Sequence, residues 1–237
     1  MRLNELGQPI GEPVSGWAGA AAPVAQVLQG RWCRLEPLSA ERHGAELHAA
    51  WSADAENRVW TYLAYGPFAG EAECIAFLKT MEGKADPMMF AIIDQASGKA
   101  MGVGSYLRVE PATGCIEVGH LNFAPALQRT PLATEAMYLM MRNAFEGLGF
   151  RRYEWKCDDL NAPSRAAAAR LGFTFEGIFR QATVYKGRNR DTAWFSILDK
   201  EWPRLKAGFE AWLSPDNFDA DGRQKRSLAE CRGGLRG

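Results

Sequence analysis

The sequence predicts a mixed α+β fold, and three patterns carry that reading. Residues 88–94, 100–108 and 115–123 are strand-like runs parted by turn signals at Ser97-Gly98 and 111–114, the pattern of an antiparallel meander. Directly after them, Ala133, Ala136, Met137, Met140, Met141, Ala144 and Leu148 recur at the spacing of a helix with one buried face, stopped by Gly147 and Gly149. Residues 152–157 then alternate Arg, Glu and Lys with Tyr153, Trp155 and Cys157, as a strand with one covered face does. With 237 residues, 47% of them hydrophobic, the chain has the apolar content to build such a core, which excludes a disordered or low-complexity protein.

The other elements follow in order. Residues 1–29, rich in Gly, Pro and Ala without a sustained period, are expected to form an extended surface arm. Residues 30–37 alternate Trp32 and Arg34 with Cys33 and Leu35 as a first strand, and Ser39 N-caps a helix reaching about Trp51. After the aromatic stretch from Trp60 to Phe68, a second helix covers 71–81. Asn161 N-caps a short Ala-rich helix that ends at Leu171 with Gly172 as its C-cap. Strands at 174–186 and 191–198 flank the polar loop 187–190. Trp202, Leu205, Phe209 and Trp212 mark an amphipathic closing helix, on which exposed Trp202 and Trp212 would admit a homodimer. The chain thus divides into an arm (1–29), one domain (30–213) and a flexible basic tail (214–237).

Charge balances only in the sum. Residues 1–150 hold 11 basic against 16 acidic side chains and residues 151–237 hold 17 against 12, which favours an anionic ligand near the second half over wholesale nucleic-acid binding. The five cysteines are odd in number and scattered, and there are three histidines, so neither a disulfide framework nor a metal site is expected and a reducing cytoplasm fits. No run approaches 18 apolar residues, and the N-terminal apolar run lacks a preceding basic segment; no membrane span or signal peptide is expected.

The segment from Cys115 to Glu135 reads as strand, short loop and helix. A loop ending on a helix N-terminus offers unpaired N–H groups and the positive end of the helix dipole, to which Arg129 adds a charge and Thr130 and Thr134 add hydroxyls. Downstream come a strand, Asn161-Ala-Pro-Ser164, and Leu171-Gly-Phe173-Thr-Phe-Glu176-Gly177. In these motifs and their order the chain resembles the GNAT superfamily of acyl-coenzyme A N-acyltransferases, in its RimJ/RimL-like branch, the ribosomal-protein N-terminal acetyltransferase-like proteins.

That resemblance covers about residues 30–203. It implies a central, mostly antiparallel twisted sheet of about seven strands, splayed in the middle and flanked by helices on both faces. It implies acetyl-CoA as co-substrate, with Gln128, Arg129, Thr130, Leu132, Ala133 and Thr134 cradling the pyrophosphate. Pro131 stands where the family usually has its central glycine, which removes one N–H but is tolerated in the first turn of a helix. A backbone N–H around Asn122 and Phe123 would polarise the thioester carbonyl, and Asn161 would hold the pantetheine amide. Ala168 stands where many members carry a tyrosine that protonates the leaving thiolate, so Ser164 is the substitute candidate, against the plainer reading of a helix-capping serine. Glu117 is the preferred general base, acting through water, and His120 the second. Trp60, Tyr62, Tyr65 and Phe68 either line the acceptor pocket or plug the core, and Arg180, Lys186, Arg188 and Arg190 either steer an anion or form a solvated hairpin tip.

The reading is therefore a cytoplasmic N-acetyltransferase that moves acetyl from acetyl-CoA to a primary amine, a protein N-terminus or a small amine, by direct attack in a ternary complex. The alternative is a non-catalytic acyl-CoA-binding sensor or regulatory module that kept the fold. Membrane partners are not expected, and nucleic-acid partners rest on the basic tail alone.

Overall fold

The computed structural model describes residues 2–233. In the arm, β1 (Arg2–Leu3) and β2 (Pro9–Ile10) form a small exposed hairpin, and β3 (Leu28–Gln29) joins the main sheet. Then follow β4 (Cys33–Pro37), α1 (Ala40–Ser52), a 3-10 turn at Arg58–Trp60, and α2 (Glu71–Met81). The meander is β5 (Met88–Asp94), β6 (Ala100–Glu110) and β7 (Cys115–Phe123). After it come α3 (Pro131–Arg142), β8 (Arg152–Asp158), α4 (Ala162–Leu171), β9 (Thr174–Tyr185), β10 (Arg188–Leu198), α5 (Trp202–Leu213) and α6 (Leu228–Gly233).

Strands β3 to β10 make one sheet in the order β3-β4-β5-β6-β7-β8-β10-β9, with β7 and β8 parallel and every other pair antiparallel. It is the expected mostly antiparallel sheet between helices, with eight strands instead of about seven because the two-residue β3 pairs with Leu35 and Arg34. One face packs on α3, α4 and α5 through residues such as Tyr106, Ile116, Met140, Tyr153 and Phe209. The other packs on α1 and α2 through Leu47, Trp51, Leu78, Ile93 and Val103. Of the described helices α3 has the most buried residues, as its apolar period requires.

Three expectations change. The helical pattern running to Leu148 is not one α-helix: it ends at Arg142 and widens into a π turn at Asn143–Gly147, beside which the Tyr106 hydroxyl donates to the Met140 carbonyl at 2.7 Å. The 187–190 loop is shorter than expected, because Lys186 and Gly187 both take left-handed φ (50° and 70°); this two-residue turn lets Arg188 pair directly with Tyr185. Trp202 and Trp212 are buried, at 4% and 3% exposure, so they present no dimer surface. Trp202 stacks on Phe145, and Trp212 is covered by the segment after α5.

That last contact also corrects the flexible tail. Asn217, itself buried, donates to the carbonyls of Trp212 and Arg226 and accepts from the Arg226 N–H, closing the chain back on α5. Leu228 and Cys231 of α6 then enter the main core. The remaining residues of the expected tail, 234–237, lie outside the described residues.

The turn between β3 and β4 is held by one carboxylate. Glu135 of α3, 5% exposed, accepts the N–H groups of Arg31, Trp32 and Cys33 at 2.7–2.8 Å, so it fixes the turn leading into β4 from a helix a hundred residues away. Replacing Glu135 by Ala leaves three backbone donors, that of Cys33 buried, without their acceptor and should cost about 2–4 kcal/mol in urea unfolding. A cost below about 1 kcal/mol would show that water replaces the carboxylate there.

Candidate active site

The site begins where the one parallel strand pair comes apart. β7 and β8 pair from Cys115 with Arg152 to Val118 with Trp155, and no further. Beyond Val118 the β7 backbone bulges: Ser105 pairs with Gly119 and Val103 with Asn122, so His120 and Leu121 together oppose Gly104, and His120 takes φ 51°. The bulge bends β7 away from β8 and leaves their carboxyl ends splayed, with unpaired backbone groups facing the gap.

It also sorts side chains. Leu121 and Phe123 pack towards α3, while Glu117, His120 and Asn122 stand on the α1–α2 face. Glu117 is 3% exposed, and its Oε2 accepts from Arg108 at 2.6 Å and from Lys156 of β8 at 2.8 Å. Lys156 in turn bonds Glu154 and lies 3.7 Å from the centroid of the Trp194 ring. Glu117 is thus the centre of a neutralised cluster that spans β6, β7 and β8. His120 is different: its Nδ1 meets the Tyr65 hydroxyl at 3.2 Å, the ring stacks on Tyr65, and no partner among the described residues engages Nε2. Burial, helped by Arg108, holds the imidazole below the ordinary histidine range, so it is neutral at pH 7.

Over this face lies an aromatic roof. Trp60 packs edge-on against Trp51, Tyr65 and Phe68, and Tyr65 stacks on Phe77. Gly66, at φ 64°, sits so close that a Cβ there would collide with the Trp60 ring. Trp60, at 4% exposure, belongs to the core, while Tyr65 meets His120 and Tyr62 donates to the Leu160 carbonyl at the end of β8. The hairpin tip closes the roof from the other side: Lys186 donates to the Trp60 carbonyl at 2.8 Å and Arg188 to the Thr61 carbonyl at 2.7 Å. Two of the four basic hairpin residues are therefore fasteners, and Arg190 bonds Thr192. Arg180 alone of the four lines an open cleft, with Phe179, Gln181, Ala182, Asn189 and Asp191.

On the far side of the gap the 124–130 loop leads into α3. Pro131 occupies the first helical turn, where its missing N–H costs nothing, and Arg129 takes left-handed φ 61°. The expected donor set shrinks: the Ala133 N–H goes to Thr130 Oγ1 and the Thr134 N–H to the Thr130 carbonyl. The N–H groups of Arg129, Thr130 and Leu132 keep no protein partner, and Gln128 is turned back onto the Phe123 carbonyl. Those three donors, the helix dipole and the Arg129 charge suit a diphosphate. Sequence reading missed Arg170, which the end of α4 brings to Thr134 Oγ1 at 3.1 Å; its distance in sequence left no signal.

Asn161 and Ser164 sit across the gap at the start of α4. Asn161 Oδ1 accepts the Ser164 N–H as a helix cap, which leaves its Nδ2 as the free donor. Ser164 Oγ accepts the Trp155 indole N–H at 3.0 Å, so its own proton remains to be given. Ala168 is fully buried, and no tyrosine takes its place. The arrangement sets free N–H groups and a positive charge at one end of a strand gap and a neutral, aromatic-roofed imidazole at the other.

The chain is similar to known proteins. An acetyltransferase (GNAT) domain model matches residues 33–174. The chain belongs to the GNAT acetyltransferase family. A GCN5-related N-acetyltransferase from Brucella melitensis is 49% identical, with a TM-score of 0.91 covering 93% of this chain and 100% of that one. A probable GNAT-family acetyltransferase from Chromobacterium violaceum is 45% identical, with a TM-score of 0.76 covering 82% and 97%. An uncharacterized N-acetyltransferase p20 from Bacillus licheniformis is 25% identical over 174 residues, 71% of this chain and 95% of that protein. This GNAT protein is accordingly an acetyl-CoA-dependent N-acetyltransferase.

If the 129–132 loop of this acetyltransferase is the diphosphate cradle, Arg129→Ala should weaken acetyl-CoA binding roughly tenfold in calorimetry, the loss of one charge-assisted hydrogen bond. Unchanged affinity would move the cradle elsewhere.

Proposed function

We propose that this enzyme acetylates a small primary amine, held under the aromatic roof and attacking directly, with His120 as general base. The observation that carries the acceptor class is the fastened roof: the 58–68 loop is held to the hairpin by Lys186 and Arg188 and to the turn after β8 by Tyr62, so a small amine that enters when the loop lifts is enclosed when it closes, which an extended chain would prevent. The motifs favour a RimJ/RimL-like scaffold, but fold does not choose the acceptor.

Acetyl-CoA, when bound, supplies an acetyl group already activated as a thioester. The N–H groups of Arg129, Thr130 and Leu132 would hold its diphosphate, the backbone around Asn122 and Phe123 would face the carbonyl, and Asn161 Nδ2 would meet the pantetheine. His120 Nε2 takes the proton that the amine loses, a role its neutral imidazole and its Tyr65 hydrogen bond prepare. Glu117, preferred in the sequence, instead orders Arg108 and Lys156 at the strand gap, its Oε2 already held by both. Ser164 gives its free proton towards the leaving thiolate. The free thiols of all five cysteines fit a reducing cytoplasm.

Thiol release from acetyl-CoA, measured against a panel of small primary amines and of free-N-terminus peptides, tests the acceptor. Small amines should exceed peptides at least tenfold in kcat/KM, and exclusive use of peptides would overturn the reading. His120→Gln should lower kcat about a hundredfold. In the parent enzyme kcat should fall as pH drops through a value below the ordinary histidine pKa, because acid protonates the base. A profile without that limb would remove His120 from the proton path.

A further inference from the structure

Among the described residues, three buried side chains carry polar atoms without partners: Asn122, Tyr153 and Trp194. Tyr153 lies deep in the core on the α3 side, and the Trp194 ring is engaged by the Lys156 ammonium. Asn122 differs in that both Oδ1 and Nδ2 are unpaired, in a residue 2% exposed, while its main-chain carbonyl is satisfied by the Trp51 indole N–H at 3.3 Å. A buried carboxamide with nothing to bond destabilises the ligand-free protein, and a leucine of similar volume would not.

Its position says what the group is for. Asn122 pairs with Val103, whose side chain joins Trp51, Trp60 and Ala124 on the α1–α2 face. The bulge puts it on the same face as His120, at the end of β7 where β8 has already turned away. Resting on the reading of this face as the acceptor side, we propose that the Asn122 carboxamide receives the acceptor. Oδ1 accepts an N–H of the neutral amine, and Nδ2 donates to an oxygen carried close to that nitrogen. A carboxamide suits the task because it orients the amine without stabilising the ammonium form, as a carboxylate would. The substrate class is thereby a primary amine with a hydroxyl or carbonyl oxygen two or three bonds from the nitrogen. The 58–68 loop must lift from its Lys186 and Arg188 bonds to admit it.

Two amines that differ by one hydroxyl, 2-phenylethylamine and 2-amino-1-phenylethanol, test this with acetyl-CoA. The parent enzyme should prefer the amino alcohol about tenfold in kcat/KM, the worth of one buried hydrogen bond. Asn122→Leu should erase the preference through KM, bind acetyl-CoA within twofold of the parent, and melt higher by about 2–4 °C. An equal rate for both amines in the parent, or a preference that survives the leucine substitution, would overturn the proposal and leave acyl transfer to small amines intact. A leucine variant that melts lower and loses acetyl-CoA binding would make Asn122 structural and also overturn it. Acetylation of peptides with neither amine used would overturn the small-amine reading and this proposal with it.

Discussion

Everything functional in this molecule depends on the failure of β7 and β8 to stay paired. Parallel strands would ordinarily close their ladder over their whole length, but the two-for-one bulge at His120 and Leu121 ends it after four pairs. The same distortion opens a slot with unpaired backbone and turns His120 to the α1–α2 side. Because α3 starts eight residues after β7 ends, it also aims a helix N-terminus at the slot. One local irregularity therefore opens the gap, sets the His120 imidazole beside it and aims the α3 N-terminus at it. Energetically it is held open by its surroundings: Glu117, Arg108, Lys156 and Glu154 neutralise one another across the three strands at its closed end, and two hydrophobic cores grip the sheet from both faces.

The electrostatic division within the site follows from that geometry. Charges at the closed end are paired, so the His120 side is aromatic and neutral, which favours a neutral imidazole. Positive charge is kept at the other end, at Arg129 and Arg170 around the first turn of α3, where an anion belongs. The basic hairpin residues Lys186 and Arg188 spend their charge on roof carbonyls instead of on a ligand.

Much of this was legible in the sequence, and what was not has a physical reason. Strand alternation, the α3 period and the caps at Ser39, Asn161 and Gly172 are local signals, and they place the sheet, the helices and the loop before α3. The bulge at His120 is set by pairing with β6 and leaves no mark in a single strand. Glu117 reads as a free carboxylate because its partners, Arg108 and Lys156, arrive from neighbouring strands. The order after Ser214 hangs on one amide, Asn217, whose three bonds no composition reveals. Trp212 looks exposed only as long as the segment after α5 is read as loose, and Trp202 only until the π turn brings Phe145 onto it.

The central claim is that the slot between β7 and β8 receives the co-substrate. Backbone amide chemical shifts followed by NMR during titration with coenzyme A test it most directly. The account expects perturbations to concentrate at Asn122 and Phe123, at the end of β8 from Lys156 to Asp158, and at Arg129, Thr130 and Leu132. Perturbations confined to the open cleft of Phe179, Arg180 and Asp191, with the strand gap silent, would contradict it.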